Sequence, residues 1–98
     1  MQYAKWRREK EPTLAEMTRR ALEFLQRRQA SSSSKEAKGY YLFVEGGLID
    51  YGHHANFGAH ALFDTLAFDE AIEISLPAFL PLNIILFSLT RLWKMKTN

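Results

Sequence analysis

Two carboxylates and two histidines follow closely on an apolar run in the segment YYLFVEGGLIDYGHH of this 98-residue chain. Glu45 ends the run, Asp50 comes five residues later, and His54 lies four residues beyond Asp50. Residues four apart share one face of a helical turn, so Asp50 and His54 can reach a single ion. Zinc accepts carboxylate oxygen and imidazole nitrogen, and catalytic zinc sites usually take three protein ligands. The spacing is compatible with a zinc site of which two ligands are present.

Glu45 is separated from Asp50 by two glycines and two apolar residues. Glycines allow a tight backbone turn, so the Glu45 carboxylate can face the same cavity as Asp50. A lone carboxylate suits a hard ion such as magnesium, which keeps several of its waters. Spacing alone also fits an ordinary ion pair between Asp50 and His54, and His53 could be a ligand, a donor to a ligand or a solvated neighbour. His60 is most simply a surface or partly buried packing residue.

The segment before this constellation has the pattern of an amphipathic helix. Apolar residues recur there at spacings of three and four: Leu14, Met17, Ala21, Phe24 and Leu25. Thr13 and Glu16 have the spacing of a capping box, and Pro12 blocks an earlier start. We predict a helix over about residues 13–28 with this stripe in the core.

The run YYLFV predicts a strand over about residues 40–45, after a serine-rich loop at 30–38. A continuous apolar run of this length is typical of a strand covered on both faces, as in a parallel sheet. Glu45 then lies at the carboxyl end of the strand, where open α/β sheets collect their functional groups.

A second helix is predicted over about residues 58–72. Its apolar stripe consists of Ala59, Leu62, Phe63, Leu66 and Ala67, with Asp64 and Glu70 off the stripe. The order of helix, buried strand, ligand-bearing turn and helix indicates a piece of an α/β layer.

Residues 73–98 have a different character, that of an apolar and basic tail. Pro77, Pro81 and Asn83 interrupt its apolar stretch, which falls short of the roughly 20 residues that a spanning helix needs. Basic residues follow at Arg91, Lys94 and Lys96. A membrane-associating segment, a buried core segment and residues unrelated to the domain are the three interpretations.

Composition narrows the function classes. The chain has no cysteine, so it has no disulfide and any metal must use imidazole and carboxylate ligands. The net charge of +2 with both signs present gives no indication of a nucleic-acid partner. The amino-terminal residues lack the apolar region of a secretory signal peptide.

The string GYYLFVEGGLIDYGHH closely resembles the metal-ligand segment of animal alkaline phosphatases. EPTLAEMTRRALEFL is similar to the helix that precedes this segment in the family, and ALFDTLAFDEAI to the helix that follows it. The resemblance covers about residues 1–72 and is strongest at 39–54. It implies a fragment of the family's three-layer α/β sandwich, with a divergent tail at 73–98.

By this resemblance Glu45 is a magnesium ligand, and Asp50 and His54 are two ligands of one zinc. The family hydrolyses phosphate monoesters with two zinc ions and one magnesium ion through a phosphoserine intermediate. Family members are typically homodimers that are secreted or anchored at the cell surface. The resemblance thus implies a phosphomonoesterase. The signals that would direct it to the cell surface or outside the cell are not visible in these residues.

The chain also departs from the family. Leu48 and Tyr51 stand where vertebrate members commonly have a basic residue and a histidine. The family's nucleophilic serine, its phosphate-binding arginine and its other metal ligands have no counterpart here, so we expect no catalytic residue in this chain and negligible turnover alone. The alternative is a non-catalytic metal-binding or membrane-associating remnant of a truncated or alternative transcript.

Overall fold

A computed structural model describes residues 3–4, 11–31, 39–78 and 84–88 of the chain. The elements, in chain order, are α1 (Leu14–Ser31), β1 (Tyr41–Glu45), α2 (Gly47–His54), α3 (Gly58–Ser75), a short 3-10 helix (Leu76–Ala78) and β2 (Ile84–Ser88). The segment that was predicted as a turn between strand and helix forms α2. Residues 30 and 31 of the predicted serine-rich loop belong to α1, and residues 32–38 lie outside the described residues.

The capping box at the start of α1 is confirmed. The Thr13 backbone N–H donates to Glu16 Oε2 over 2.7 Å, and the Glu16 N–H donates to Thr13 Oγ1 over 2.9 Å. Two amide groups that the helix leaves without an internal partner are thereby satisfied. This local pattern fixes where α1 begins.

The buried line of α1 differs from the predicted stripe. Ala15, Thr18 and Leu22 are buried, whereas Phe24 is 54% exposed. Thr18 tolerates burial because its hydroxyl donates to the Leu14 carbonyl over 2.7 Å. The most buried line is thus displaced by one residue from the predicted stripe, and α3 is the element that α1 contacts most extensively.

The sheet has two described strands. β1 pairs in parallel with β2, in a register that sets Tyr41 opposite Ile84 and Glu45 opposite Ser88. β2 comes from residues 73–98, for which a segment unrelated to the domain was one of three interpretations. None of the helices in the described ranges is long and apolar enough to cross a membrane.

The prediction that β1 is covered on both faces is wrong. Val44 is buried, but Tyr41 and Phe43 on the opposite face are 58% and 54% exposed. Side chains alternate between the faces of a strand, and within the described part of the chain only one face is packed. There Leu42 joins a core cluster of Leu22, Ala78 and Ile85.

The predicted core face of α3 is also wrong. Leu62 and Leu66 are 59% and 56% exposed, and Phe63 is 46% exposed. The buried residues are His60, Ala61, Asp64, Phe68, Ala71 and Ser75. α3 carries apolar residues on all of its faces. The periodicity of its sequence therefore could not identify the face on which α1 and α2 pack.

Candidate metal centre

The candidate centre lies where β1 passes into α2. Glu45 is the last residue of the strand, and the Gly46 N–H donates to the Ser88 carbonyl over 3.1 Å, which extends the ladder by one bond. A Cβ atom added at Gly47 would lie 3.8 Å from Glu45 Oε1. The Glu45 carboxylate therefore lies beside the start of α2.

Gly46 is required for close packing rather than for an unusual backbone angle. Its φ of −88° is open to any residue. A Cβ atom at this position would lie 2.8 Å from Phe68 Cδ2 and 3.3 Å from Ile49 Cδ1. At Gly46 the glycine is therefore needed for a reason other than the expected tight turn. Phe68 of α3 lies too close to the end of the strand for a side chain to fit.

Asp50 and His54 are brought together by α2. The distance between Asp50 Oδ2 and His54 Nε2 is 3.3 Å, and their side chains are 16% and 56% exposed. Asp50 lies in the first turn of α2 and His54 in the last. A negative charge at the start of a helix and a positive charge at its end both interact favourably with the helix dipole. One oxygen and one nitrogen donor therefore share one exposed helical face.

These donors fit a zinc ion in type but not in number. Among the described residues no group of three or more aspartate, glutamate or histidine side chains is placed to hold one ion. Glu45 therefore does not complete a three-ligand set with Asp50 and His54. His53 is exposed in the last turn of α2.

Gly52 fixes α2 against α3. A Cβ atom added at Gly52 would lie 2.9 Å from Ala61 N and 3.1 Å from Ala61 Cα. Two helix backbones meet at this point, so no side chain can be fitted without moving one of them. The turn that joins the helices contains Asn56 at a φ of 57°, a left-handed conformation that asparagine tolerates.

Sequence reasoning missed a second ionisable pair, His60 and Asp64, both buried on α3. The rings of Tyr3 and Phe57 lie 4.8 Å and 5.0 Å from the His60 ring, between centroids. Burial raises the pKa of the Asp64 carboxyl, against the opposing effects of the Ala4 N–H and of His60. The signal was present in the spacing of Ala61, Asp64, Phe68, Ala71 and Ser75, which alternates between three and four.

Comparisons with known proteins identify the family to which the chain is similar. The alkaline phosphatase family matches over residues 1–79, seven residues beyond the predicted limit of the resemblance. A membrane-bound alkaline phosphatase of Bombyx mori is 41% identical over 68 residues, which cover 69% of this chain and 11% of the relative. Alkaline phosphatase 4 of Drosophila melanogaster is 46% identical over 63 residues, or 64% of this chain and 10% of the relative.

The tissue-nonspecific isozyme of alkaline phosphatase of Rattus norvegicus is 42% identical over 62 residues, or 63% of this chain and 10% of the relative. No solved structure matches the chain. The chain spans about a tenth of the length of these relatives. Because the family match covers residues 1–79 of 98, the chain belongs to the alkaline phosphatase family.

Proposed function

We propose that this chain supplies part of the metal centre of an alkaline phosphatase, with Asp50 and His54 as zinc ligands and Glu45 as a magnesium ligand. The 3.3 Å contact between Asp50 Oδ2 and His54 Nε2 carries the proposal, because it holds two suitable donors on one helical face. The exposure of His54 leaves room for an ion and for further ligands.

Each residue has a separate task in this proposal. Asp50 and His54 hold an ion that, when bound, stabilises negative charge on a phosphate ester's leaving oxygen. The Glu45 carboxylate, at the carboxyl end of β1, offers oxygen to magnesium. Gly46 and Gly52 keep β1 and α2 close to α3, so the two sets of donors stay at a fixed separation.

The reaction of the whole enzyme would be hydrolysis of phosphate monoesters. The family relationship supports this substrate class, as it supports a three-layer α/β sandwich, a homodimer and a place outside the cell or at its surface. The partial phosphatase domain would cover residues 1–79, as the family match does, rather than end at the predicted limit of 72, and the divergent tail would follow it. The chain alone would show negligible turnover, because two zinc donors and one magnesium donor give weak sites and no nucleophile lies among them.

Zinc titration of the full chain tests the ligand assignment. We expect D50A and H54A each to weaken zinc binding by about tenfold or more, because each removes one of two direct donors. H53A is the matched control, since it removes a neighbouring exposed imidazole from the same turn, and we expect a change below about twofold. Equal zinc affinity in H54A and the unmodified chain would contradict the assignment.

An assay with an aryl phosphate, zinc and magnesium tests the expectation of negligible turnover. Release of the aryl alcohol by the chain, abolished in D50A or H54A, would show that the chain is a phosphatase by itself. Turnover that survives both substitutions would point to a contaminating enzyme instead.

A non-catalytic role is the second candidate, and the exposed face of α3 favours it. Leu62, Phe63 and Leu66 form an apolar surface there. A membrane-associating remnant would float with phospholipid vesicles, and replacing Leu62 and Leu66 by serine would release it. A chain that stays in the aqueous fraction would exclude membrane association.

A further inference from the structure

A cavity of about 240 Å³ lies between the start of α1, the junction of β1 and α2, and α3. Three carboxylates line it, from Glu45, Asp64 and Glu70. Apolar side chains make up much of the remaining wall, among them Met17, Leu48 and Leu66. The described lining contains no lysine or arginine. Among the described lining residues, the walls are largely apolar and the ionisable side chains are all acidic.

Asp64 distinguishes this cavity from a surface cluster of acids. The residue is 9% exposed, and its Oδ1 accepts a hydrogen bond from the Ala4 N–H over 3.3 Å. Its Oδ2 is buried and has no hydrogen-bond partner among the described residues. A buried carboxylate oxygen without a partner is unfavourable, so a donor that reached it would gain a strong charge-assisted bond.

The chemistry of the lining selects the kind of donor. Three carboxylates disfavour an anion. Asp64 and Glu70 belong to no group of three acids or histidines that, among the described residues, is placed to hold one metal ion. A protonated amine or guanidinium on a short apolar chain matches both the carboxylates and the apolar walls. Its charged end meets the carboxylates, and its carbons contact the apolar walls.

We propose that this cavity binds the cationic end of an alkylammonium or alkylguanidinium group, with Asp64 as its main acceptor and Glu70 as a second carboxylate at the wall. Such a group is carried both by free small amines and by lysine or arginine side chains of another polypeptide. The site is separate from the zinc pair, since neither Asp50 nor His54 lines the cavity, but it shares the Glu45 wall with the proposed magnesium site.

Titration of the full chain with n-butylammonium, followed by NMR of the backbone amides, tests the proposal. We expect saturable shifts at Leu48, Asp64 and Ala67, and at least tenfold weaker binding in D64N, which keeps the shape but removes the charge. D69N is the matched control, because Asp69 is an exposed carboxylate of α3 outside the cavity lining, and we expect its affinity to equal that of the unmodified chain.

Two further arms keep the test decisive. If D64N does not fold, E70Q takes its place, with about threefold weaker binding expected and unchanged binding counting against the proposal. Nα-acetyl-lysine amide identifies the source: binding of butylammonium alone indicates a small free amine, and binding of both indicates that a lysine end is also accepted. The absence of saturable shifts with either probe, or equal binding in D64N, would overturn the site.

The zinc titration separates this proposal from the proposed zinc pair of Asp50 and His54. D64N should leave zinc binding unchanged, and H54A should leave butylammonium binding unchanged. Loss of both activities on a single substitution would show one shared site and overturn the cation cavity as a distinct feature.

Discussion

Two pairs of aspartate and histidine, each four residues apart, occupy opposite environments in this protein. Asp50 and His54 lie on α2, with His54 more than half exposed and the two side chains 3.3 Å apart. His60 and Asp64 lie on α3 with exposures of only 8% and 9%. Residue types and spacing are the same, and only the order and the surroundings differ. Helical spacing brings the partners together, whereas packing decides what chemistry they can perform.

The surroundings differ because of the contact between α2 and α3. Gly52 lies against Ala61, so the face of α3 that carries His60 and Asp64 turns inward. The opposite side of α2 stays open, which leaves the first pair accessible to solvent and to ions. Exposure suits a site that must exchange ligands, and burial suits one that selects for charge.

The largest expected effect comes from separating the two helices. Replacing Gly52 by valine places methyl groups against the Ala61 backbone, which would already lie 2.9 Å from a Cβ atom. We expect the free energy of unfolding to fall by about 3 kcal/mol, because neither backbone can yield without loss of packing. Denaturant unfolding followed by circular dichroism measures the change.

Gly58 provides the control for that substitution. A Cβ atom added there meets nothing within 4 Å, and Gly58 is the first residue of α3. G58A should therefore leave the free energy of unfolding unchanged or raise it by up to about 1 kcal/mol through helix propensity. If G52V were as stable as G58A, the α2–α3 contact would not be what distinguishes the two pairs.

A smaller effect is expected when each histidine is replaced by alanine. H60A removes a buried ring that packs between Tyr3 and Phe57, and we expect a loss of about 2 kcal/mol in unfolding free energy. H54A removes an exposed ring and should change stability by less than about 0.5 kcal/mol. Zinc binding should show the reverse order, with H54A affected and H60A not. Equal losses of stability would contradict the assignment of one pair to the core and the other to the surface.

The features that sequence predicted are those set by neighbours along the chain. Thr13 and Glu16 form the capping box because both partners belong to one turn. Asp50 and His54 meet because they lie four apart on a helix. Recognition of the family followed from the order of residues alone, without any knowledge of packing.

The features that sequence did not predict depend on distant parts of the chain. Phe63 and Leu66 are apolar but exposed. The buried face of α3 depends instead on its packing against α1 and against α2, which contains Gly52. Tyr41 and Phe43 are exposed because only one face of β1 is packed within the described residues. Burial of Asp64 was hidden for the same reason: its polar character suggested solvent, while its spacing from Ala61 and Phe68 indicated the core.

The pH dependence of stability gives the smallest and most specific test. Burial raises the pKa of the Asp64 carboxyl in the folded state above its ordinary value. At any pH above this raised pKa, the ionised group therefore destabilises the fold. As the pH falls through the raised folded pKa toward the ordinary value, the folded state takes up a proton first and that destabilisation disappears.

D64N removes the ionisation but keeps the shape, so its stability relative to the unmodified chain should be greatest at neutral pH and should decrease on acidification. Unfolding midpoints between about pH 7 and about pH 4 measure the difference, with D69N as the exposed carboxylate on the same helix. A difference between D64N and the unmodified chain that grew on acidification would mean that the folded-state pKa of Asp64 is lowered. The Asp64 carboxylate that lines the cavity would then be stabilised by a partner. The two aspartate–histidine pairs would in that case differ only in their exposure to solvent.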